Sequence, residues 1–215
     1  YISKADFSTL KGNISEYTEE IINKRAGNRI SIAHETLRSA QEVSIANFLF
    51  LNNIEYRYEK PYQYNIVRSH KPYTPDFTIT QGDKVAYLEH FGITEDGRNN
   101  RYTAEQLKKY KAAINDKVIL HRRHNTDLIY TFSSYNDGRP MLEHLKEQLI
   151  GHGFTLNQRS SQEVFEKIVN TEENKYILKL VKLICTFIQN FKTNGFTIDK
   201  FYEWETQTTN ERTRL

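Results

Sequence analysis

Apolar and polar positions recur in blocks that predict a helix, three strands, a second helix and a fourth strand. Residues 35–51 have helical periodicity, and Asn52-Asn53 is typical of a helix end. Alternation predicts strands at 54–64, 73–80 and 84–93, with Gln81-Gly82-Asp83 as the turn between the last two. Residues 103–121 then predict a helix and 127–133 a strand. This order predicts an α/β core.

The chain changes character after the fourth predicted strand. Residues 140–150, 161–169 and 173–191 all show helical periodicity, with Gly151, Gly153 and Gly195 as breaks. We therefore predict three parts: a helical lead-in at 1–34, the α/β core at 35–135, and a helical extension at 136–215.

Composition narrows the class of protein. Aromatic residues make up 13% of the chain, enough for a core, which argues against disorder. The net charge of +3 is weak evidence for a nucleic-acid partner. The lone Cys185 excludes a disulfide framework and predicts a reducing, cytoplasmic location.

No apolar run approaches the roughly 18 residues of a membrane span, so no membrane partner is expected. A chain beginning at Tyr1 is expected to be a piece of a longer protein.

Two carboxylates fall where the second and third predicted strands meet. Asp76 begins the strand in YTPDFTIT, and Glu89 lies in VAYLEHFG beyond the tight turn. A hairpin of this length brings both side chains to one face if the register matches. Adjacent carboxylates repel and need a counter-charge, and their apolar neighbours argue against two exposed acids. Mg²⁺ or Mn²⁺ with oxygen ligands is the predicted counter-charge.

Two further charged residues lie on apolar helix faces. Glu42 shares its face with Ile45 and Leu49, which is the side that faces the core. Its partner is either the predicted metal site or a buried Arg or Lys, and the sequence leaves both open. Lys117, aligned with apolar residues of the second helix, is placed to orient or deprotonate a water, although a Lys there often extends to solvent.

The arrangement of these residues resembles the PD-(D/E)XK nuclease superfamily. The flanking segments are more specific than the motif itself. LRSAQEVSIANFLFLNNIEYRYEKPY, YTPDFTI, YLEHFGI, HNTDLIYTFS and FIQNFKTNG resemble a segment found inside DNA helicases of the UvrD/Rep type, close to the helicase IV branch. The resemblance covers roughly residues 33–200.

The resemblance implies a restriction-endonuclease-like core with flanking helices, acting as a metal-dependent DNA endonuclease domain between the motor motifs of a superfamily 1 helicase. Asp76 and Glu89 would be metal ligands, and Glu42 a supporting ligand, reached directly or through water. Phe91 stands where the Lys of the family's E-x-K element is expected. Lys117 on the neighbouring helix would take its place.

The implied partners are DNA, single-stranded or forked, and the other domains of the parent helicase. ATP would bind only in the parent motor, because no Gly here is followed by Lys-Ser or Lys-Thr. The missing E-x-K Lys keeps an alternative open: a nuclease fold without chemistry that binds DNA or docks on the motor. A third alternative is a purely structural spacer that docks to another helicase domain or to a partner protein. The residues predicted to contact DNA are His90, Arg98, Arg101, His121 and Arg122.

Overall fold

The structure, a computed structural model, describes residues 16, 18–66, 72–169 and 172–207. Its strands are β1 (Glu55–Tyr58), β2 (Phe77–Gln81), β3 (Lys84–Thr94) and β4 (Asp127–Ser134). Residues 18–27 form helix α1. The later helices are α2 (Ala40–Leu51), α3 (Ala104–Arg123), α4 (Met141–Gly151), α5 (Ser161–Val169), α6 (Glu172–Thr193) and α7 (Ile198–Gln207). The architecture is α/β, as predicted.

The four strands form one mixed sheet in the order β1-β2-β3-β4. β1 pairs antiparallel with β2, and β2 pairs antiparallel with β3 across the turn at Gly82, whose φ is +60°. β4 pairs parallel with β3, and α3 makes the crossover that such a pairing requires.

Helices cover both faces of this sheet. On one face, Ala86 and Leu88 of β3 join a buried cluster with Val43 of α2 and Leu145 and Leu149 of α4. On the other face, α3 packs over the residues of β3 that alternate with these, including Tyr87 and Glu89. The alternation therefore places the acidic strand position under α3.

Two predicted boundaries are wrong at the start of the core. The first strand ends at Tyr58 because Glu59 has a φ of +47° and Pro61 has no N–H to donate to a ladder. The first core helix begins at Ala40, five residues later than predicted. Ser39 caps it, since its hydroxyl accepts a hydrogen bond from the main-chain N–H of Glu42.

Ser39→Ala is expected to lower the free energy of unfolding by about 1 kcal/mol, because it removes the acceptor at the start of α2. Urea unfolding measures this change. Ser44→Ala is the matched control, because its hydroxyl donates back to the main-chain oxygen of Ala40 within the same helix. A loss of stability in the control as large as that in Ser39→Ala would contradict the capping role.

The chain divides into two units after Ile168, rather than at the predicted boundary near residue 136. α4 belongs with the sheet, because Leu145 and Leu149 lie in its core. α5 is held in the same unit by hydrogen bonds from the side chains of Arg25 and His34 to the main-chain oxygens of Ile168 and Lys167. In the second unit, Phe191 of α6 and Trp204 of α7 pack edge to face, with ring centroids 6.4 Å apart. Residues 1–15 and 17 of the predicted lead-in lie outside the described residues.

Among the described helices, none is long and apolar enough to cross a membrane.

Candidate active site

The hairpin between β2 and β3 brings Asp76 and Glu89 together. Phe77 of β2 pairs with Leu88 of β3, so the same register places Asp76 opposite Glu89. The main-chain N–H of His90 donates to Oδ2 of Asp76 over 2.7 Å. This bond holds the Asp76 carboxylate beside the β3 residue that follows Glu89.

Glu89 is 1% exposed, and both of its oxygens have partners. Lys117 Nζ of α3 lies 2.6 Å from Oε2, and the Tyr73 hydroxyl donates to Oε1 over 2.6 Å. A buried carboxylate is stable only with such pairing, since an isolated charge there is costly.

The predicted lysine does reach the acidic site from the neighbouring helix. Lys117 Nζ lies 5.8 Å from the centroid of the Phe91 ring and 5.6 Å from that of Tyr73. Phe91 occupies the strand position two residues after Glu89, on the same face. Its ring packs beside the ammonium of Lys117. The positive charge next to Glu89 therefore comes from helix α3 and not from a lysine on β3.

Asp76 lies in an electrostatically unfavourable place for a carboxylate. Burial, followed by the charge of Glu89, raises the pKa of Asp76 to about 7. The His90 N–H and the Lys117 ammonium oppose this rise in pKa without cancelling it. The positive charge near the two carboxylates is therefore too small to keep both fully ionised at neutral pH.

Glu42 also lines this site, but its oxygens are engaged at the start of α2. Oε1 accepts from the Ser39 hydroxyl over 3.0 Å, and Oε2 accepts from the Tyr58 hydroxyl over 2.7 Å. The main-chain N–H of Arg38 also donates to Oε2. Within the part of the chain that the structure describes, its partners are therefore hydroxyls and a main-chain N–H rather than the side chain of an Arg or Lys.

His90 alternates to the α2 side of the sheet and holds two other residues there. Its Nδ1 lies 2.9 Å from the Thr131 hydroxyl and its Nε2 lies 3.1 Å from Oε1 of Gln41. Burial lowers the pKa of the His90 imidazole. Contact with a phosphate, as predicted, would require one of these hydrogen bonds to break.

The site opens into a cleft of about 790 Å³ with an acidic floor and a basic rim. Arg98 and Arg101 line the rim, where Arg98 is paired with Asp96. Arg122 is exposed at the end of α3 and does not line the cleft. His121 is 1% exposed and does not line the cleft, so the predicted contact with DNA would require it to become exposed.

The donor set fits a hard divalent cation in part. Among the described residues, no three His, Cys, Asp or Glu side chains form a group that could enclose a metal ion. Asp76 and Glu89 nevertheless face one cleft with too little positive charge, and Oδ2 is the Asp76 oxygen that the main chain engages. Mg²⁺ commonly takes one or two carboxylates and completes its shell with water and substrate phosphate. Asp76 and Glu89 would hold it, with Glu42 reached through water.

Sequence reasoning missed Tyr73, Gln41 and Tyr58 as residues that hold the site. A Tyr in an apolar stretch gives no signal that its hydroxyl will meet a carboxylate 16 positions away. The signal for Glu42 was present: Ser39 and Glu42 have the S-x-x-E spacing of a capping box.

No protein-family model, no curated protein and no solved structure matches this chain. The chemistry of the cleft is therefore the main evidence for function.

Proposed function

We propose that the first unit is a metal-dependent DNA endonuclease domain with a restriction-endonuclease-like core. The observation that carries this proposal is the convergence of Asp76, Glu89 and Lys117 at one cleft. Two carboxylates and a lysine, contributed by a hairpin and the next helix, are the groups that metal-assisted phosphodiester hydrolysis uses. The order of the sheet, with one parallel pair joined by α3, supports the finer fold assignment.

Each residue has a distinct role in the proposed reaction. A bound Mg²⁺ or Mn²⁺ would polarise the phosphate and lower the pKa of a water. Asp76 and Glu89, kept close by the hairpin register, would hold the cation. Lys117 stabilises the negative charge that develops on the phosphate during attack. Glu42 accepts hydrogen bonds from Ser39 and Tyr58 on the α2 side of the cleft, where it would support the cation through a water.

The proposed substrate is DNA, and the proposed setting is an ATP-dependent helicase. Arg98 and Arg101 at the rim suit a phosphate backbone that approaches an acidic floor. The helicase setting rests on the resemblance of the segments quoted above. ATP and the remaining partner domains would belong to that parent chain.

A cleavage assay tests the proposal directly. Purified protein is mixed with labelled single-stranded, duplex and forked DNA in Mg²⁺, Mn²⁺ or EDTA. We expect cleavage that needs the metal. DNA binding without cleavage would overturn the nuclease and favour the alternative, a fold that keeps the cleft as a binding surface. Neither binding nor cleavage would favour a docking role.

Arg101→Ala is expected to weaken DNA binding without changing sequence preference, because Arg101 would contact the backbone. The slope of log K against log salt should become shallower by about 1, as for the loss of one phosphate contact. Fluorescence anisotropy across a salt series measures both quantities. Lys109→Ala, on the exposed face of α3 and paired with Glu105, is the control. An unchanged slope in Arg101→Ala would show that Arg101 does not contact the DNA backbone.

A further inference from the structure

A chain of hydrogen bonds runs beneath the cleft and ends at Glu89. The Tyr62 hydroxyl lies 2.6 Å from the Thr126 hydroxyl, which lies 2.9 Å from Nδ1 of His121. Nε2 of His121 lies 3.1 Å from the Tyr73 hydroxyl, which donates to Glu89 over 2.6 Å. Tyr62, Tyr73 and His121 are each at most 5% exposed. These groups come from three separate parts of the chain.

The proton of each group in the chain has only one consistent direction. Glu89, paired with Lys117, only accepts, so the single proton of Tyr73 points to it. The Tyr73 oxygen must then accept from His121 Nε2–H. Burial, followed by the charge of Lys117, lowers the pKa of His121 to about 4, so the neutral ring has a bare Nδ1.

The remaining two steps follow from this tautomer. The bare Nδ1 of His121 accepts the proton of Thr126, and Tyr62 then donates to the Thr126 oxygen. Thr126 also lies 3.3 Å from the main-chain oxygen of His121, a longer contact than the 2.9 Å to Nδ1. Protons are thus donated in sequence from Tyr62 to Glu89.

We infer that Tyr73 and His121 are positioning residues that orient Glu89 for metal binding, with His121 held in the Nε2–H tautomer by Thr126. This inference rests on the proposed function and adds two residues to it. Neither residue lines the cleft. They act through one oxygen of Glu89, while Lys117 holds the other.

Tyr73 and Lys117 have different effects on the Glu89 carboxylate for a physical reason. A lysine ammonium is a point charge on a flexible stem and sets no direction for the carboxylate. The Tyr73 hydroxyl is carried on a rigid, buried ring, which packs on the His121 and Tyr62 rings with centroids 5.6 Å apart in both cases. The hydrogen bond from this ring therefore fixes the plane of the Glu89 carboxylate. Loss of a group that orients a metal ligand typically weakens metal binding about 10–100-fold.

The structure supplies a matched control for removing the Tyr73 hydroxyl. Tyr87 packs in the same cluster, with ring centroids 5.0 Å from His121 and 4.6 Å from Tyr62. Its hydroxyl takes no part in the chain of hydrogen bonds. Tyr73→Phe and Tyr87→Phe therefore each remove one oxygen from one aromatic cluster, and only Tyr73→Phe breaks the chain.

The first readout needs no metal. Ring ¹⁵N chemical shifts of His121 in the metal-free protein should show the Nε2–H tautomer. Tyr73→Phe should change these shifts markedly, because Nε2–H loses its acceptor, whereas Tyr87→Phe should leave the tautomer unchanged. A Nδ1–H tautomer in the wild-type protein would overturn the inference, whatever the metal result.

The second readout is the affinity for Mn²⁺, measured by calorimetry. Tyr73→Phe and His121→Leu should each weaken binding about tenfold or more, with Tyr87→Phe within about twofold of wild type. His121→Gln keeps an N–H donor for Tyr73 and should recover most of the affinity that His121→Leu loses. Equal affinities in Tyr73→Phe and Tyr87→Phe would overturn the inference and leave the proposed metal site intact. If the wild-type protein binds no Mn²⁺, the proposed function fails, and the tautomer alone decides whether the chain orients Glu89.

Discussion

Asp76→Asn is expected to abolish metal-dependent cleavage and, in the absence of metal, to stabilise the fold at alkaline pH. The loss of cleavage should reach about a thousandfold or more, the several kcal/mol that a bound cation contributes to transition-state stabilisation. The gain in stability has a separate cause, since asparagine cannot ionise and carries no charge into the site.

The sign of the stability change follows from the raised pKa of Asp76. Burial and the nearby Glu89 move this pKa from 3.8 to about 7, so the folded protein binds the proton more tightly than the unfolded chain. The contribution of Asp76 to stability is therefore present below pH 4 and is lost as the pH rises towards 7. A difference of this size corresponds to about 4 kcal/mol.

Urea unfolding of the wild-type and Asp76→Asn proteins in EDTA, from pH 4 to pH 8, measures this effect. The two free energies should be close at pH 4, and the variant should be the more stable protein by a few kcal/mol at pH 8. Asp83→Asn, in the exposed turn between β2 and β3, controls for the loss of one carboxylate. Adding Mg²⁺ at pH 8 should stabilise the wild-type protein and not Asp76→Asn. Parallel curves of unfolding free energy against pH for wild type and Asp76→Asn would show that the pKa of Asp76 is not raised in the folded protein.

Lys117→Met is expected to destabilise the protein and to reduce cleavage together. Lys117 is the ammonium beside Glu89, whose side chain is 1% exposed. Removing one partner of a buried ion pair lowers the free energy of unfolding by about 3–5 kcal/mol, because the other charge is left unpaired. Loss of a group that stabilises the charge of the transition state should reduce the cleavage rate about 10²–10³-fold.

A double variant separates these two effects. Glu89→Gln in the Lys117→Met background removes the stranded charge and should restore most of the stability without restoring cleavage. Lys109→Met is the control, since its pair with Glu105 is 76% and 77% exposed and should contribute less than about 1 kcal/mol. If Lys117→Met keeps full cleavage while folded, a different group supplies the positive charge.

The features predictable from sequence were those set by local periodicity. The turn at Gly82 and the alternation of β3 fix the hairpin register, so Asp76 and Glu89 were expected side by side. Helical spacing placed Lys117 on the inner face of α3, where it contacts Glu89. Each inference needed only one element or one hairpin.

The features that were missed depend on contacts between distant segments. Tyr73 and His121 meet because a loop and a helix pack on one sheet face, and no spacing in the chain encodes that contact. β1 ends early because Glu59 adopts a positive φ, which its residue type does not predict. The first unit extends to Ile168 because α4 packs on the sheet through Leu145 and Leu149, a contact between distant segments.

The central claim is that Asp76 and Glu89 bind a divalent cation at the floor of the cleft. The most direct measurement is a calorimetric titration of Mn²⁺ into the wild-type protein and Asp76→Asn near neutral pH. We predict saturable binding to the wild-type protein that the substitution abolishes. Binding of equal strength in Asp76→Asn, or no binding to the wild-type protein, would contradict the account.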